Sequence, residues 1–375
     1  MKYVKWFLLV SLALFIVSLF GNEGENTGVP DDVKEVLEDT EYVNNLLSTK
    51  HPTVAKGNRL FGVGMTEGAK GFGTAFANAQ ELGVEVVEIV SNWDEGEVEK
   101  QKYSDTWLSI ADSFYPPHNV SLALSVNPID TNNNKLPDHL DNKNFNDPDV
   151  IASYKQYITY LATLVPNTTI VSVAVGNEID AWLGDSKQKW GEYTEFFCAV
   201  APHVRTSFPN AKVGVKITFD SVVNDKKGFV KEINKCADAV MTTYYPLTKE
   251  TMVEIPTVVH ADFATIVQLY PNKEILFLEV GYPSSNTNGS SETKQAHFYE
   301  EVLVAWDNNK DMIPLLNVVW LHDISSEKVN FYKNYYKWDD KRFLSYLSSL
   351  GIRTYDGEPK IAFEVLKSGL TERGW

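Results

Sequence analysis

From Leu60 onward the chain alternates short apolar runs with longer stretches of helical spacing. The runs at 60–66, 84–90, 120–126, 170–175, 212–218, 239–245, 275–278 and 315–320 read as strands, and 170–175 is rich in β-branched residues and free of charge. Strands have that character when helices cover both faces of a sheet. The segments 74–82, 102–113, 149–164 and 191–207 place apolar residues at helical intervals between them. This βα rhythm predicts a parallel sheet, and eight strands between Leu60 and Trp320 suit the usual size of about 250 residues for a closed (β/α)8 barrel. The expected fold class is therefore α/β, a TIM barrel. The longest loop on the carboxyl side of a strand, Asp130 to Asp149, is rich in Asn, Asp, Pro and Lys and is expected to wall a cleft. An aromatic, lysine-rich patch after Ser325 (Phe331, Tyr332, Tyr335, Tyr336, Trp338) reads as a loop beside that cleft, before a last helix at 361–366.

The chain's first 21 residues differ in kind. Lys2 and Lys5 precede an apolar run from Trp6 to Phe20, the pattern of a secretory signal. At about 1.5 Å per residue the run reaches roughly 22 Å, short of a hydrocarbon core of about 30 Å, which favours cleavage. The absence of a clean small-residue pair near Gly21 keeps an uncleaved N-terminal anchor as the alternative. The organisation is then 1–21 leader or anchor, 22–58 linker and N-terminal helix, with helical spacing from Asp31 to Leu47, and 59–375 a catalytic barrel ending in a helix. The expected location is secreted or extracytoplasmic, or membrane-anchored if the leader stays. A single barrel of this size is expected to be a monomer.

The formal charge of -16 argues against nucleic acid or anionic membrane as a partner and is compatible with neutral sugars. Cys198 and Cys236 lie in segments read as neighbouring outer helices; they are either bridged, as export would allow, or two buried thiols. Asn119, Asn167 and Asn288 begin matches to the glycan acceptor pattern. The seven histidines are scattered without metal-ligand spacing, and no Gly-x-Ser-x-Gly elbow occurs. Gly62-Val63-Gly64 lacks a correctly placed third glycine, so no cofactor or metal is expected.

Two of the strands run directly into a glutamate. Ile170 to Val175 leads through Gly176 and Asn177 to Glu178, and Ile275 to Leu278 leads to Glu279. In one closed barrel both ends point to the same face, so the two carboxyl groups can meet across a cleft. Glycoside hydrolysis needs that pairing: one carboxyl held protonated for the leaving oxygen, and one ionised to attack an oxocarbenium-like centre. A separation of about 5 to 5.5 Å is expected for a retaining pair.

These residues resemble the retaining glycoside hydrolases of clan A, in which an Asn-Glu pair ends strand four and a glutamate ends strand seven. The run Glu279-Val280-Gly281-Tyr282-Pro283-Ser284 is similar to the nucleophile segment of the arabinogalactan galactanases and plant-type β-glucanases. Tyr244-Tyr245-Pro246 is similar to their strand-six end, and Trp320 to their strand-eight tryptophan. The resemblance implies Glu178 as acid/base, Asn177 as partner of the sugar 2-hydroxyl, Glu279 as nucleophile and Trp320 as a platform under the reacting sugar. Tyr244, Tyr245, Trp93 and Tyr282 join the expected carbohydrate contacts, since aromatic faces stack on sugar C–H groups. Strand alternation requires one of Tyr244 and Tyr245 to face away from the cleft. Strand two departs from the clan pattern: an arginine is expected near the nucleophile, and this chain has Asn92-Trp93 there. The rival reading is an inactive carbohydrate-binding protein on the same barrel.

Overall fold

The computed structural model describes residues 53–375 apart from Asp225. The leader, the connector and the helix expected at 31–47 lie outside the described residues. Eight parallel strand positions follow in chain order: β1 (Leu60–Val63), β2 (Val86–Asn92), β3 (Ser121–Asp130), β4 (Ile170–Asn177), β5, β6 (Val240–Tyr244), β7 (Ile275–Val280) and β8 (Leu315–Val318). β5 is split at Val215 into Lys212–Gly214, which pairs with β4, and Lys216–Thr218, which pairs with β6. β8 returns to β1, from Leu60 opposite Leu315 to Val63 opposite Val318, so the order closes a (β/α)8 barrel.

The interior is a packed core. Val86, Ala123, Ala174, Met241, Leu276, Leu278 and Leu315 come from six different strands yet form one buried cluster, which only inward-facing side chains can do. Every second residue onward from these positions points inward again. Val86 thus sets Glu88 inward, and Ala174 sets Gly176 and then Glu178 inward. The outer helices include Gly71–Gln80, Pro148–Thr163, Lys187–Ser207, Val258–Leu269, Glu292–Asn308 and Ile361–Arg373.

Two expected elements are corrected. The segment 102–113 begins as a hairpin, Glu97–Glu99 against Lys102–Tyr103, and the helix starts only at Thr106. Asp105 explains the boundary: its carboxylate accepts a hydrogen bond from the Leu108 amide and caps the helix. The aromatic patch after Ser325 is helix, Ser326–Tyr336, capped by the Ser325 hydroxyl on the Lys328 amide. Its rings at 331 and 335, and at 332 and 336, stack as residues four apart on one helix do.

Cys198 and Cys236 form a disulfide between the outer helix Lys187–Ser207 and the turn before β6, closing the choice left open by the sequence. Asn288 is fully buried and donates to the Thr251 and Arg342 carbonyls, so its acceptor motif is inaccessible in this fold.

Candidate active site

Glu178 owes its position to the glycine two residues before it. Gly176 has φ +93°, and a Cβ there would lie 2.6 Å from both the Ile179 methyl and the Tyr193 hydroxyl. The chain can therefore turn out of β4 only with glycine at that point. Glu178 itself sits at φ 42°, a left-handed conformation that side chains adopt at a cost, just ahead of the short helix Ile179–Leu183. Its Oε1 accepts from the Thr243 hydroxyl at 2.8 Å, and its Oε2 from the Thr131 hydroxyl at 3.2 Å. Thr243 belongs to β6 and stands in register with Glu279 of β7, which brings the two glutamates to one mouth.

Strict alternation would send Glu279 outward, because Leu276 and Leu278 face the interior. The β6–β7 ladder corrects this by skipping a residue: Thr242 pairs with Phe277, and Thr243 with Glu279. That bulge re-aims the carboxylate into the barrel. Its Oε1 accepts from the Lys216 ammonium at 2.8 Å and its Oε2 from the Tyr245 hydroxyl at 2.5 Å. Lys216 donates equally to Glu88 of β2, at 2.6 Å. A lysine 1% exposed is thus shared by two carboxylates across the barrel interior. The cation beside Glu279 comes from β5, and the place on β2 that faces it holds Glu88.

The two glutamates differ electrostatically. Burial, reinforced by the negative charge of Glu279, pushes the Glu178 carboxyl up to about 8. Glu88 is pushed up to about 7, mainly by burial, against the opposing attraction of Lys216. Burial alone would lower the Lys216 ammonium; the charges of Glu279 and Glu88 overcome it and raise the group. Tyr245 is raised by burial and by Glu279, so it stays a hydroxyl that donates. At neutral pH Glu178 therefore carries a proton, while Glu279 has a cation on one oxygen and a neutral donor on the other.

The remaining expected site residues divide. Asn177 donates to Asp130 at 2.7 Å, while its buried carbonyl oxygen has no partner among the described residues and can take a hydroxyl. Trp320 is half-buried and stacks on Tyr332 at 5.9 Å between ring centroids. Tyr245 faces the mouth and Tyr244 does not. Tyr244 is 1% exposed, donates to Asp262 at 2.7 Å and packs on Phe263 and Phe277, so it is corrected to a core residue. Tyr282 is corrected likewise: it is fully buried, stacked on Phe298, with its hydroxyl on the Glu254 carbonyl. Trp93 is also fully buried, its indole N–H donating to Glu97 at 2.8 Å and its ring against Tyr154. Glu88, Lys216, Thr243 and Asp130 were not anticipated; a charge in the interior of a strand run was the available signal for the first two. Among the described residues, no group of His, Cys, Asp and Glu side chains is arranged to hold a metal ion.

The model of glycosyl hydrolase family 53 matches residues 129–321, just over half of the chain, and spans both glutamates. The chain belongs to that family. Family 53 is the galactanase branch of clan A, so the protein is a glycosidase on a (β/α)8 barrel. The barrel itself recurs in solved structures of low identity. A GH5_18 protein from Bifidobacterium longum is 14% identical, with a TM-score of 0.65 over 84% of this chain and 79% of that one. The exo-β-1,4-mannosidase Op5Man5 of an Opitutaceae bacterium is 17% identical, with a TM-score of 0.65 over 87% and 62%. A family 39 glycoside hydrolase from Bacteroides cellulosilyticus is 12% identical, with a TM-score of 0.56 over 85% and 65%. No curated protein matches the family 53 chain.

Proposed function

We propose that this family 53 protein is an exported glycosidase that cleaves β-linked oligo- or polysaccharide with retention of configuration, Glu279 acting as nucleophile and Glu178 as acid/base. The observation that carries this reading is the pair of opposed environments at one barrel mouth: a carboxyl pushed up to about 8 and a carboxylate held by Lys216 and Tyr245. In the first step Glu279 attacks the anomeric carbon and forms a glycosyl ester, while the Glu178 proton passes to the departing oxygen. In the second, Glu178 takes a proton from water, water attacks the anomeric carbon, and the Glu279 carboxylate leaves. The open oxygen of Asn177 suits the sugar 2-hydroxyl, and Trp320 offers an apolar face to the ring. The leader pattern and the Cys198–Cys236 disulfide support an oxidising compartment outside the cytoplasm.

The test is hydrolysis of a panel of aryl β-glycosides followed across pH. For aryl glycosides with poor leaving groups, which need the Glu178 proton, the raised carboxyl should let kcat/KM hold through neutrality and fall about tenfold per unit above about 8. Glu178→Gln should remove that alkaline limb. A panel left wholly intact, or a wild-type profile already falling tenfold per unit above pH 5, would overturn the reading.

A further inference from the structure

Lys216 reaches the barrel interior because it stands in register with Met241 of β6, a member of the interior cluster. Its ammonium is 1% exposed and donates to two carboxylates on different strands, Glu88 of β2 at 2.6 Å and Glu279 of β7 at 2.8 Å. Glu88 takes no part in the two displacement steps, yet a further charge in a packed interior is costly unless it has a partner. The charges that act on Glu88 are Lys216 from β5, Glu279 from β7 and Asp130 from the end of β3.

Forming the glycosyl ester moves charge through this cluster. As a Glu279 oxygen bonds to the anomeric carbon, the bond from that carbon to the leaving oxygen breaks. Its electron pair goes to the leaving oxygen, and the Glu178 proton follows. Glu279 becomes a neutral ester and Glu178 a carboxylate, so the total charge is unchanged, but the Lys216 ammonium loses the anion it had at 2.8 Å. The Glu178 carboxyl is held elsewhere, by the Thr243 and Thr131 hydroxyls, and Tyr245 is a neutral donor that cannot balance a cation. Glu88 is then the carboxylate left on the ammonium. Burial raises the Glu88 carboxyl, Lys216 opposes this, and the charge of Glu279 adds to it. Esterification removes that last contribution. Glu88 therefore holds its negative charge more firmly beside the ester than in the free protein, and any proton it carries at neutral pH passes to solvent.

We propose that Glu88 is the counterion of Lys216 for the life of the glycosyl ester, a positioning residue that acts through the lysine and sets how fast the ester forms relative to how fast it opens. The proposal rests on the functional reading above, in which Glu279 is esterified, and deepens it. Without the Glu88 charge, the ester leaves a buried ammonium unpaired, while in the free protein that ammonium, no longer shared, holds the Glu279 carboxylate more tightly. Both effects raise the ester relative to the free carboxylate. Ester formation then slows and ester opening quickens, whereas damage to the fold would slow both.

The experiment uses the whole protein and dinitrophenyl 2-fluoro-β-glycosides of mono- and disaccharides in the galactose, glucose and mannose series. The fluorine slows both steps, and the good leaving group lets the ester accumulate. Release of dinitrophenolate reads ester formation, and the return of aryl glycoside turnover after excess reagent is removed reads ester opening. In Glu88→Gln, formation should slow at least about tenfold and opening should quicken at least about fivefold. Slowing of both rates, or no change in either, would overturn the proposal. Glu88→Asp keeps the charge and should bring both rates to within about threefold of wild type; a shift as large as that of Glu88→Gln would also overturn it. If Glu88→Gln is too unstable to isolate, the comparison moves to Lys216→Met, which has no cation to balance. Adding Glu88→Gln there should change neither rate by more than about twofold, and opposite shifts of the two rates would overturn the proposal. Failure of the functional reading looks different: the wild type would leave the panel intact, or release dinitrophenolate with no sugar on Glu279 by mass spectrometry, and the proposal would fall with it. A labelled Glu279 with unchanged rates in Glu88→Gln overturns the proposal and spares the assignment.

Discussion

Glu279→Ala should abolish hydrolysis of every glycoside, activated aryl glycosides included, by about 10⁵- to 10⁶-fold, the scale on which a covalent nucleophile is missed. The other acidic side chain paired with Lys216, Glu88, is less exposed than Glu279, 10% against 19%, which makes it a poor replacement. Glu178→Ala should fail differently. Proton donation contributes about 10²- to 10⁴-fold and is needed only when the leaving group is poor, so an aryl glycoside with an acidic phenol should still be turned over. Azide then separates the roles. With Glu178→Ala it attacks the glycosyl ester and gives a glycosyl azide of retained configuration; with Glu279→Ala it attacks the substrate and inverts it. Equal and unrescued losses in both variants would contradict the assignment.

The second large effect concerns Lys216, which the family resemblance did not point to. The lysine is 1% exposed and its two carboxylate partners are 10% and 19% exposed, so Lys216→Met leaves two carboxylates facing each other without a cation. Breaking a buried ion pair by removing one partner costs about 3–5 kcal/mol, and thermal unfolding should show that loss. Removing a charge that stabilises the reacting carboxylate should also lower kcat/KM by about 10²- to 10³-fold. The double variant Lys216→Met/Glu88→Gln separates stability from chemistry. It no longer buries an unpaired Glu88 charge and should regain more than half of the lost stability, yet remain as slow as the single variant because Glu279 still lacks its cation. Recovery of activity along with stability would show that Lys216 serves the fold alone.

Much of this was legible in the chain because a barrel converts sequence into direction. A strand covered on both faces shows its period weakly but its end clearly, so the boundaries after Val175 and Leu278 marked Glu178 and Glu279 as mouth residues. Alternation also implied that Tyr244 and Tyr245 could not both face the cleft, and the structure puts Tyr244 in the core. Glu279 was legible by position but not by orientation, since the skipped residue in the β6–β7 ladder depends on partners that no local pattern reveals. Trp93 and Tyr282 misled for a related reason. An aromatic ring just past a strand can lie on the cleft or fold back beneath it, and here the buried acceptors Glu97 and the Glu254 carbonyl hold both rings beneath. Lys216 and Glu88 were present as charges within strand runs, but a charge in a strand gains meaning only when its partner across the barrel is known. The hydrogen bond from Tyr335 to Asp130 was hidden for the same reason, because the two stand 205 positions apart in sequence.

If Glu279 forms a covalent glycosyl ester which water then opens on the same face, the stereochemistry of the first product reads it directly. Hydrolysis of an aryl β-glycoside followed by proton NMR from the first minute should show the β-anomer of the free sugar first, with the α-anomer arriving only at the rate of mutarotation. Immediate formation of the α-anomer would mean a single inverting displacement and would contradict the account.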